Sequence, residues 1–201
     1  MIGIIDYGGG NIGSVKNALS YLGINSILAK DENSIRKANS LIMPGQGRFG
    51  DCILGLSKRK LLLPLKEEMS KGKPFLGICI GQQILFSRSE EDVGIDGLGL
   101  IKGNVVKFSL NQKVPQIGWN SVNIKKETQL FCGIFDGSFF YFVHSYYTNC
   151  LEANAIIAQT NYGISYPCAV AKKNIFGVQF HPEKSGKAGL KLLKNFCKRV
   201  K

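Results

Sequence analysis

The sequence predicts an α/β fold in which a central mixed, mostly parallel sheet is flanked by helices and carries a nucleophile elbow. Short apolar runs alternate with helical patterns through the first half of the chain, the signature of a parallel sheet joined by right-handed crossovers. Gly77-Ile78-Cys79-Ile80-Gly81 stands between a strand-like run and a helix-like one, which places Cys79 on the turn between them. After Gly94 the segments become strand-like with turn residues between, as in a meander or hairpins, and a basic helix closes the chain.

Taken in order, residues 1–6 read as the first strand. Residues 14–22 read as a helix with Val15, Ala18, Leu19 and Leu22 on one face and Gly23 as its stop. Residues 24–29 and 40–43 form the next strands, followed by Pro44-Gly45-Gln46-Gly47. A helix over 61–71 ends at Gly72, a buried strand covers 74–78, and 80–86 reads as helix. Strands are then expected over 100–108, 119–124, 139–147, 153–159 and 167–171. Residues 174–180 deliver His181 at a strand end, where Pro182 forbids continuation. The last helix, 185–198, turns Leu190, Leu193 and Cys197 inward, and basic residues complement its C-terminal dipole.

Composition narrows the function classes. A chain of 201 residues, 44% hydrophobic and without low-complexity tracts, is expected to be one globular domain over 1–201 with enough chain to bury a large core. No run of 18 apolar residues and no basic, apolar leader occur, so a membrane span and a signal peptide are unsupported and a cytoplasmic protein is expected. Six cysteines, at 52, 79, 132, 150, 168 and 197, form no Cys-x-x-Cys, which implies free thiols. Two histidines without ligand spacing imply no metal, and no cofactor is expected. The formal charge of +12 raises a nucleic-acid partner. The lysines are scattered, however, with small clusters at Lys58-Arg59-Lys60, Lys125-Lys126, Lys172-Lys173 and the Lys198-Arg199-Lys201 tail, and no nucleic-acid motif accompanies them. A solvated surface, or docking onto an acidic partner protein, accounts for them better.

The chemistry-bearing residues are few. Glycines around Cys79 permit a sharp strand-to-helix turn that leaves a nucleophile exposed. At a helix N-terminus its sulfur would feel the positive end of the macrodipole, which favours thiolate, and the Ile80 N–H would point where an oxyanion forms. A buried structural cysteine is the alternative. In Phe180-His181-Pro182-Glu183 the carboxylate follows the imidazole closely enough to fix its tautomer and stabilise its charged form. His144 is the rival base, but no Asp or Glu follows it closely, so it is read as lining the site. Gly8-Gly9-Gly10-Asn11-Ile12-Gly13 also fits Gly-x-Gly-x-x-Gly, with Asp31 near the place of a ribose-binding acid. A dinucleotide-binding protein would need a further substrate domain, and the distinctive residues lie elsewhere.

Cys79 in Gly-Ile-Cys-Ile-Gly with Gln83 beyond it, and Phe-His-Pro-Glu at 180–183, resemble the triad-type, class I glutamine amidotransferases. Four further segments resemble the glutaminase subunits of imidazole glycerol phosphate synthases: 6–11, 44–51, Val114-Pro115-Gln116-Ile117-Gly118-Trp119-Asn120, and 140–147. The likeness spans nearly the whole chain. It implies hydrolysis of L-glutamine to glutamate and ammonia, which passes to a (β/α)8-barrel cyclase subunit. That partner would make imidazole glycerol phosphate and aminoimidazole carboxamide ribotide for histidine biosynthesis. The resemblance assigns catalysis to Cys79, His181 and Glu183, the oxyanion site to Gly47 and Ile80, and substrate binding to Gly45, Gln83, Ser145 and Tyr146. Asn11, Trp119, Tyr141 and Lys184 would flank the ammonia passage to the partner. Two departures lie near the expected site: Gln46 where a small apolar residue is usual, and Gln82 where Met is more frequent. A paralogous glutaminase that supplies ammonia for sugar amidination in surface-polysaccharide synthesis is the second reading.

Overall fold

Apolar runs too short for helices, and apolar at successive positions, pair as strands buried on both faces. In the computed structural model, which describes residues 1–109 and 113–198, the first half holds β1 (Ile2–Ile5), α1 (Ile12–Tyr21), β2 (Ser26–Ala29), α2 (Glu32–Lys37), β3 (Ser40–Met43), α3 (Phe49–Lys58), α4 (Leu62–Ser70), β4 (Phe75–Ile78) and α5 (Ile80–Gln83). The second half holds β5 (Arg88–Ser89), β6 (Gly103–Lys107), β7 (Gln116–Ser121), β8 (Asn123–Ile124), β9 (Phe139–His144), β10 (Tyr146–Cys150), β11 (Ile156–Asn161), β12 (Ser165–Lys172), β13 (Ile175–Val178) and α6 (Gly186–Lys198). The main sheet runs β2-β1-β3-β4-β13-β12-β11-β8. It is parallel from β2 to β13 and antiparallel beyond. β10, β6 and β5 form a second sheet, and β7 and β9 a two-stranded ribbon.

Helices cover both faces. On one, Val15 and Leu19 of α1 and Leu193 and Phe196 of α6 pack with Phe140, Phe142 and Phe180. On the other, Ile35, Leu56 and Leu65 of α2, α3 and α4 pack with Phe75 and Phe86. No helix among the described residues is long and apolar enough to cross a membrane.

Several expected elements change at their ends. α1 starts at Ile12 because the Asn11 side chain accepts from the Ser14 N–H at 3.1 Å. Asp31 caps α2 in a reciprocal pair with Ser34, whose N–H donates to its carboxylate at 2.8 Å, so its side chain is engaged in a helix cap. The helix expected over 80–86 stops at Gln83, because the Ile84 and Leu85 carbonyls accept from Leu98, Leu100 and Ile101 instead of continuing a helix ladder. The strand expected over 139–147 breaks at Ser145 into β9 and β10, which belong to different sheets. β7 starts earlier than the strand expected over 119–124, and Val122 interrupts that run. Residues 153–155 form a 3-10 turn before β11. In α6, Leu193 is buried as expected, with Leu192 and Phe196, whereas Leu190 and Cys197 are only partly buried. Arg199 and Lys201 of the basic tail lie outside the described residues.

The elbow is a backbone feature. Cys79 has φ of 52°, a left-handed conformation that a non-glycine residue adopts only under constraint. A Cβ on Gly77 would run into the Gly81 carbonyl, and one on Gly81 would lie 2.7 Å from the Met43 carbonyl. Both glycines are therefore close-approach residues, which let α5 fold back on β4 and pack on β3. Gly77→Ala is expected to lower the unfolding free energy by about 3 kcal/mol or more, the upper end for overpacking. Gly13→Ala, in α1 with open space around it, should raise it by about 0.5 kcal/mol. Urea unfolding of the two variants checks the opposite signs.

Candidate active site

Parallel neighbours end at the same edge of a sheet, and ligand sites gather there. At this edge β1 leads into the Gly8–Asn11 loop, β3 into Pro44-Gly45-Gln46-Gly47, β4 into Cys79, and β13 into Gln179-Phe180-His181. Val178 pairs with Ile78, and the Cys79 N–H donates to the Val178 carbonyl at 2.7 Å. Cys79 and the segment leading to His181 are thereby placed side by side.

The imidazole is fixed from three directions. Its Nδ1 lies 2.8 Å from Glu183 Oε1, with both side chains 1% exposed. Its backbone N–H donates to the Tyr141 carbonyl at 2.9 Å. Its carbonyl accepts from Ser185 Oγ at 2.6 Å, and that oxygen accepts from the Tyr141 N–H at 2.9 Å. The other ring nitrogen, Nε2, is buried, with the Cys79 side chain as its neighbour. Burial alone would lower the His181 pKa; the charge of a Cys79 thiolate, then Glu183, overcome this and raise it to about 10. The charged form of the imidazole is thereby favoured opposite the sulfur.

His144 is held in the opposite state. Burial lowers its pKa to about 4, its Nδ1 lies 2.8 Å from the Tyr146 carbonyl, and its Nε2 lies 3.1 Å from the Tyr166 hydroxyl. Neutral and engaged at both nitrogens, it is a wall of the site.

A cavity of about 200 Å³ opens over the sulfur, lined by Gly47, Cys79, Ile80, Gln83, Glu91, Pro115, Val143, His144, Ser145 and Tyr146. It is below the ~300–1,000 Å³ of drug-sized sites and suits a substrate of amino-acid size. Six residues expected at the site therefore meet on one wall: Gly47, Cys79, Ile80, Gln83, Ser145 and Tyr146. Gly45 lies beneath it, where a Cβ would strike the Ile78 carbonyl and crowd Cys79. Gln46 departs from the pattern only in its side chain, which is exposed, while its carbonyl accepts from the Tyr7 hydroxyl at 2.7 Å. Gln82 is not on the lining; it is buried, donates to Thr148 Oγ1 at 3.1 Å and packs where a Gly177 Cβ would stand.

Glu91 is the lining residue that the sequence pattern does not reveal. Its carboxylate accepts from the Phe49 N–H at 2.9 Å, Asp92 accepts from the Gly50 N–H at 2.9 Å, and burial raises the Glu91 pKa. Both acids cap α3, which has no local side-chain cap. Of the residues expected to flank a passage, Trp119 stands edge-on to Tyr141 with centroids 6.1 Å apart, and Lys184 Nζ lies 6.0 Å from the Tyr141 ring. Asn11 is the cap of α1, a helix that contacts the turn holding Lys184.

Residues 3–200 match the family model described as glutamine amidotransferase class-I. The chain is 49% identical over 201 residues to imidazole glycerol phosphate synthase subunit HisH of Caldanaerobacter subterraneus subsp. tengcongensis, covering 100% of this chain and 99% of the relative. It is 48% identical over 200 residues to the HisH subunit of Methanocaldococcus jannaschii, covering 98% of each. A solved glutamine amidotransferase superposes with a TM-score of 0.80 at 16% identity, over 99% of this chain and 98% of that one. A chain of the PurLQS structure from Thermotoga maritima gives a TM-score of 0.78 at 16% identity, over 100% and 98%.

The His181 shift has a signed consequence for stability. Below about 6.5, its ordinary value, folded and unfolded chains both hold the proton and the contribution is complete. Above that pH only the folded chain retains it, so the contribution falls as pH rises and is gone above about 10. Glu183→Gln should be less stable than the wild type near pH 6, with the gap narrowing toward pH 9 to 10, a range bracketed by these two values. Urea unfolding across that range measures it; a gap that does not change with pH would contradict the protonated pair.

Proposed function

This chain belongs to the class-I glutamine amidotransferases and, within them, to the HisH subunits of imidazole glycerol phosphate synthase, and we propose how its residues carry out the reaction. It is the glutamine-hydrolysing subunit of that synthase, in histidine biosynthesis. The buried His181–Glu183 pair, with His181 against Cys79 and a small cavity open on the sulfur, carries the mechanistic assignment.

Cys79 attacks the side-chain amide carbon of glutamine, and the C=O electrons move onto oxygen. Gly47 and the Ile80 N–H face this oxygen and stabilise its charge, at about 3–4 kcal/mol for such a donor. His181 Nε2 gives its proton to the amide nitrogen, the C–N bond breaks, and ammonia leaves behind a glutamyl thioester. The neutral imidazole then takes a proton from water, the oxygen of that water attacks the thioester, and glutamate departs as the thiolate returns. Glu183 holds Nδ1 throughout, so the proton acts only at Nε2. Gln83, Ser145 and Tyr146 shape the pocket for the substrate, and Gly45 lets the oxyanion segment approach the elbow. Glu91 is the acidic group placed to receive the substrate's α-ammonium.

As a HisH subunit the chain works within a heterodimeric synthase. We assign its partner as a (β/α)8-barrel cyclase that docks on the ribbon of β7 and β9. Ile117, Trp119 and Phe139 are exposed there, and Trp119 is paired with Tyr141. Ammonia released into water at neutral pH becomes ammonium and ceases to be a nucleophile. A covered route from His181 past Tyr141, Trp119 and Lys184, with Asn11 at the start of α1, keeps it neutral. The HisH names of the relatives favour histidine synthesis over sugar amidination as the acceptor pathway.

Cys79→Ala is expected to reduce glutaminase activity by about 10⁴-fold or more while the melting curve stays that of a folded protein. Activity of the wild type should rise when a barrel partner carrying its nucleotide is added; an unchanged rate would contradict the partner assignment. Glu91→Gln should raise KM for glutamine about 10- to 100-fold, the range for a hydrogen bond to a charged group, as read by steady-state kinetics.

A further inference from the structure

We propose that Gln179 is a positioning residue for the nucleophile, and that its side-chain amide donates a hydrogen bond to the Cys79 sulfur. The inference rests on Cys79 being the nucleophile. Gln179 is fully buried, and its Nε2 lies 3.6 Å from Cys79 Sγ, within range for a donor to the large sulfur atom.

The direction of this amide follows from its neighbours. The Tyr146 carbonyl is fixed in strand β10 and cannot donate. It faces His144 Nδ1 at 2.8 Å and accepts from Gln83 Nε2 at 2.9 Å. The nitrogen of Gln83 is thereby oriented, and its second N–H is directed at Gln179 Oε1 at 3.1 Å. Gln179 must offer its oxygen to Gln83, so its nitrogen turns to the sulfur. A backbone carbonyl thus sets two amides in sequence and ends the chain as a donor at Sγ.

The register of the sheet makes this residue available. Beyond the Val178–Ile78 pair, Gln179 is level with Cys79. The chain bends at Gln179 and Phe180 as it leaves β13; Phe180 turns into the core, where its ring lies 4.1 Å from that of Phe140, and His181 interacts with the sulfur. A single short segment therefore supplies an amide donor and the acid/base. The Val143 carbonyl lies 3.9 Å from Sγ, where it can accept from a thiol but repels a thiolate. The Gln179 donor offsets that repulsion and keeps the ionised sulfur aimed into the cavity. The ionisable groups around Cys79 are His181 with Glu183 behind it, Glu91 and neutral His144 on the cavity wall, and the buried phenols Tyr7 and Tyr166.

Alkylation of Cys79 by iodoacetamide, followed across pH by mass spectrometry of its peptide, tests the proposal in the full chain. Gln179→Met keeps the length of the side chain and removes the donor; its alkylation profile should move up by about one pH unit, the scale of a hydrogen bond to a charged group. Gln179→Glu keeps an acceptor for Gln83 but turns an oxygen toward the sulfur, and should move the profile further. A purely structural role would lower melting temperature and leave the profile of the folded protein in place, and coincident profiles would overturn the proposal. In wild-type protein the Gln179 side-chain amide, followed by NMR, should shift over the same pH range as alkylation and stay fixed in Cys79→Ser. An amide unmoved in the wild type overturns the proposal even if both variants fail to fold. A wild-type Cys79 that resists alkylation at every pH would instead refute its role as nucleophile.

Discussion

The parallel pairing of β4 with β13 is the constraint on which the site depends. It joins segments 100 residues apart, the separation of Cys79 and Gln179, and loop-closure entropy grows only logarithmically with such lengths. Both strands are central and largely buried, so the apolar area they cover favours the closure. The pairing also fixes which side chains meet the sulfur. A slip by one residue would turn Gln179 and His181 to the opposite face and present Phe180 to Cys79. Phe180 resists that slip, because its ring packs 4.1 Å from Phe140 and 5.7 Å from Phe142 in the core under α1 and α6. Aromatic packing on one side of the sheet thus holds catalytic register on the other.

At the elbow, a positive φ at a non-glycine residue costs about 1–3 kcal/mol. Cys79 is held there by its neighbours: its N–H donates to Val178, and its carbonyl accepts from Gln82 and Gln83. The electrostatics differ from those expected of a long helix behind the nucleophile. With only Ile80–Gln83 helical, few peptide dipoles align behind the sulfur, and the macrodipole contribution is correspondingly small. His181 is the ionisable side chain that interacts with the sulfur, and the fully buried Glu183 carboxylate holds its Nδ1 at 2.8 Å. A buried carboxylate is costly unless paired, and here the pairing sustains the proton that the leaving nitrogen requires.

The parts of this molecule that are legible in the sequence are those whose signals are local. The glycines around Cys79, the proline and carboxylate after His181, and the apolar runs of β1, β3 and β4 each declare themselves within a few residues. α3 does not, because its first N–H groups are capped by Glu91 and Asp92, over forty positions away. For the same reason Glu91 is invisible as a pocket residue: only the folded chain brings it to Gly47. The break at Ser145 is hidden as well, since a mostly apolar and aromatic run, with only His144 and Ser145 polar between its halves, cannot show that β9 and β10 pair with different partners. Gln179 is a different case. It lies two residues before His181, in a segment that bends as it leaves β13, and a buried amide beside a thiol has no composition signal of its own.

The proposed docking ribbon and the catalytic sulfur are parts of one connected structure. On β7, Ile117 and Trp119 are exposed while Gln116, between them and the core, is buried. Gln116 Oε1 lies 2.8 Å from the Tyr166 hydroxyl, which contacts His144 at 3.1 Å. His144 and Gln83 share the Tyr146 carbonyl, and Gln83 leads through Gln179 to Cys79. β9 runs alongside, giving Tyr141 to the backbone of His181 and Val143 to the cavity wall. Every group in these two lines is buried or in a strand, so a shift of the ribbon cannot be absorbed by loose side chains before it reaches the site. Coupling of this kind requires an element with two arrangements. The elbow itself is rigidly bonded, and the segment ending at Gly47, with φ of 114°, is tied as well, because the Tyr7 hydroxyl donates to the Gln46 carbonyl at 2.7 Å. Catalytic register therefore resides in the sheet, and turning the Gln46–Gly47 peptide would first have to break the Tyr7 hydrogen bond.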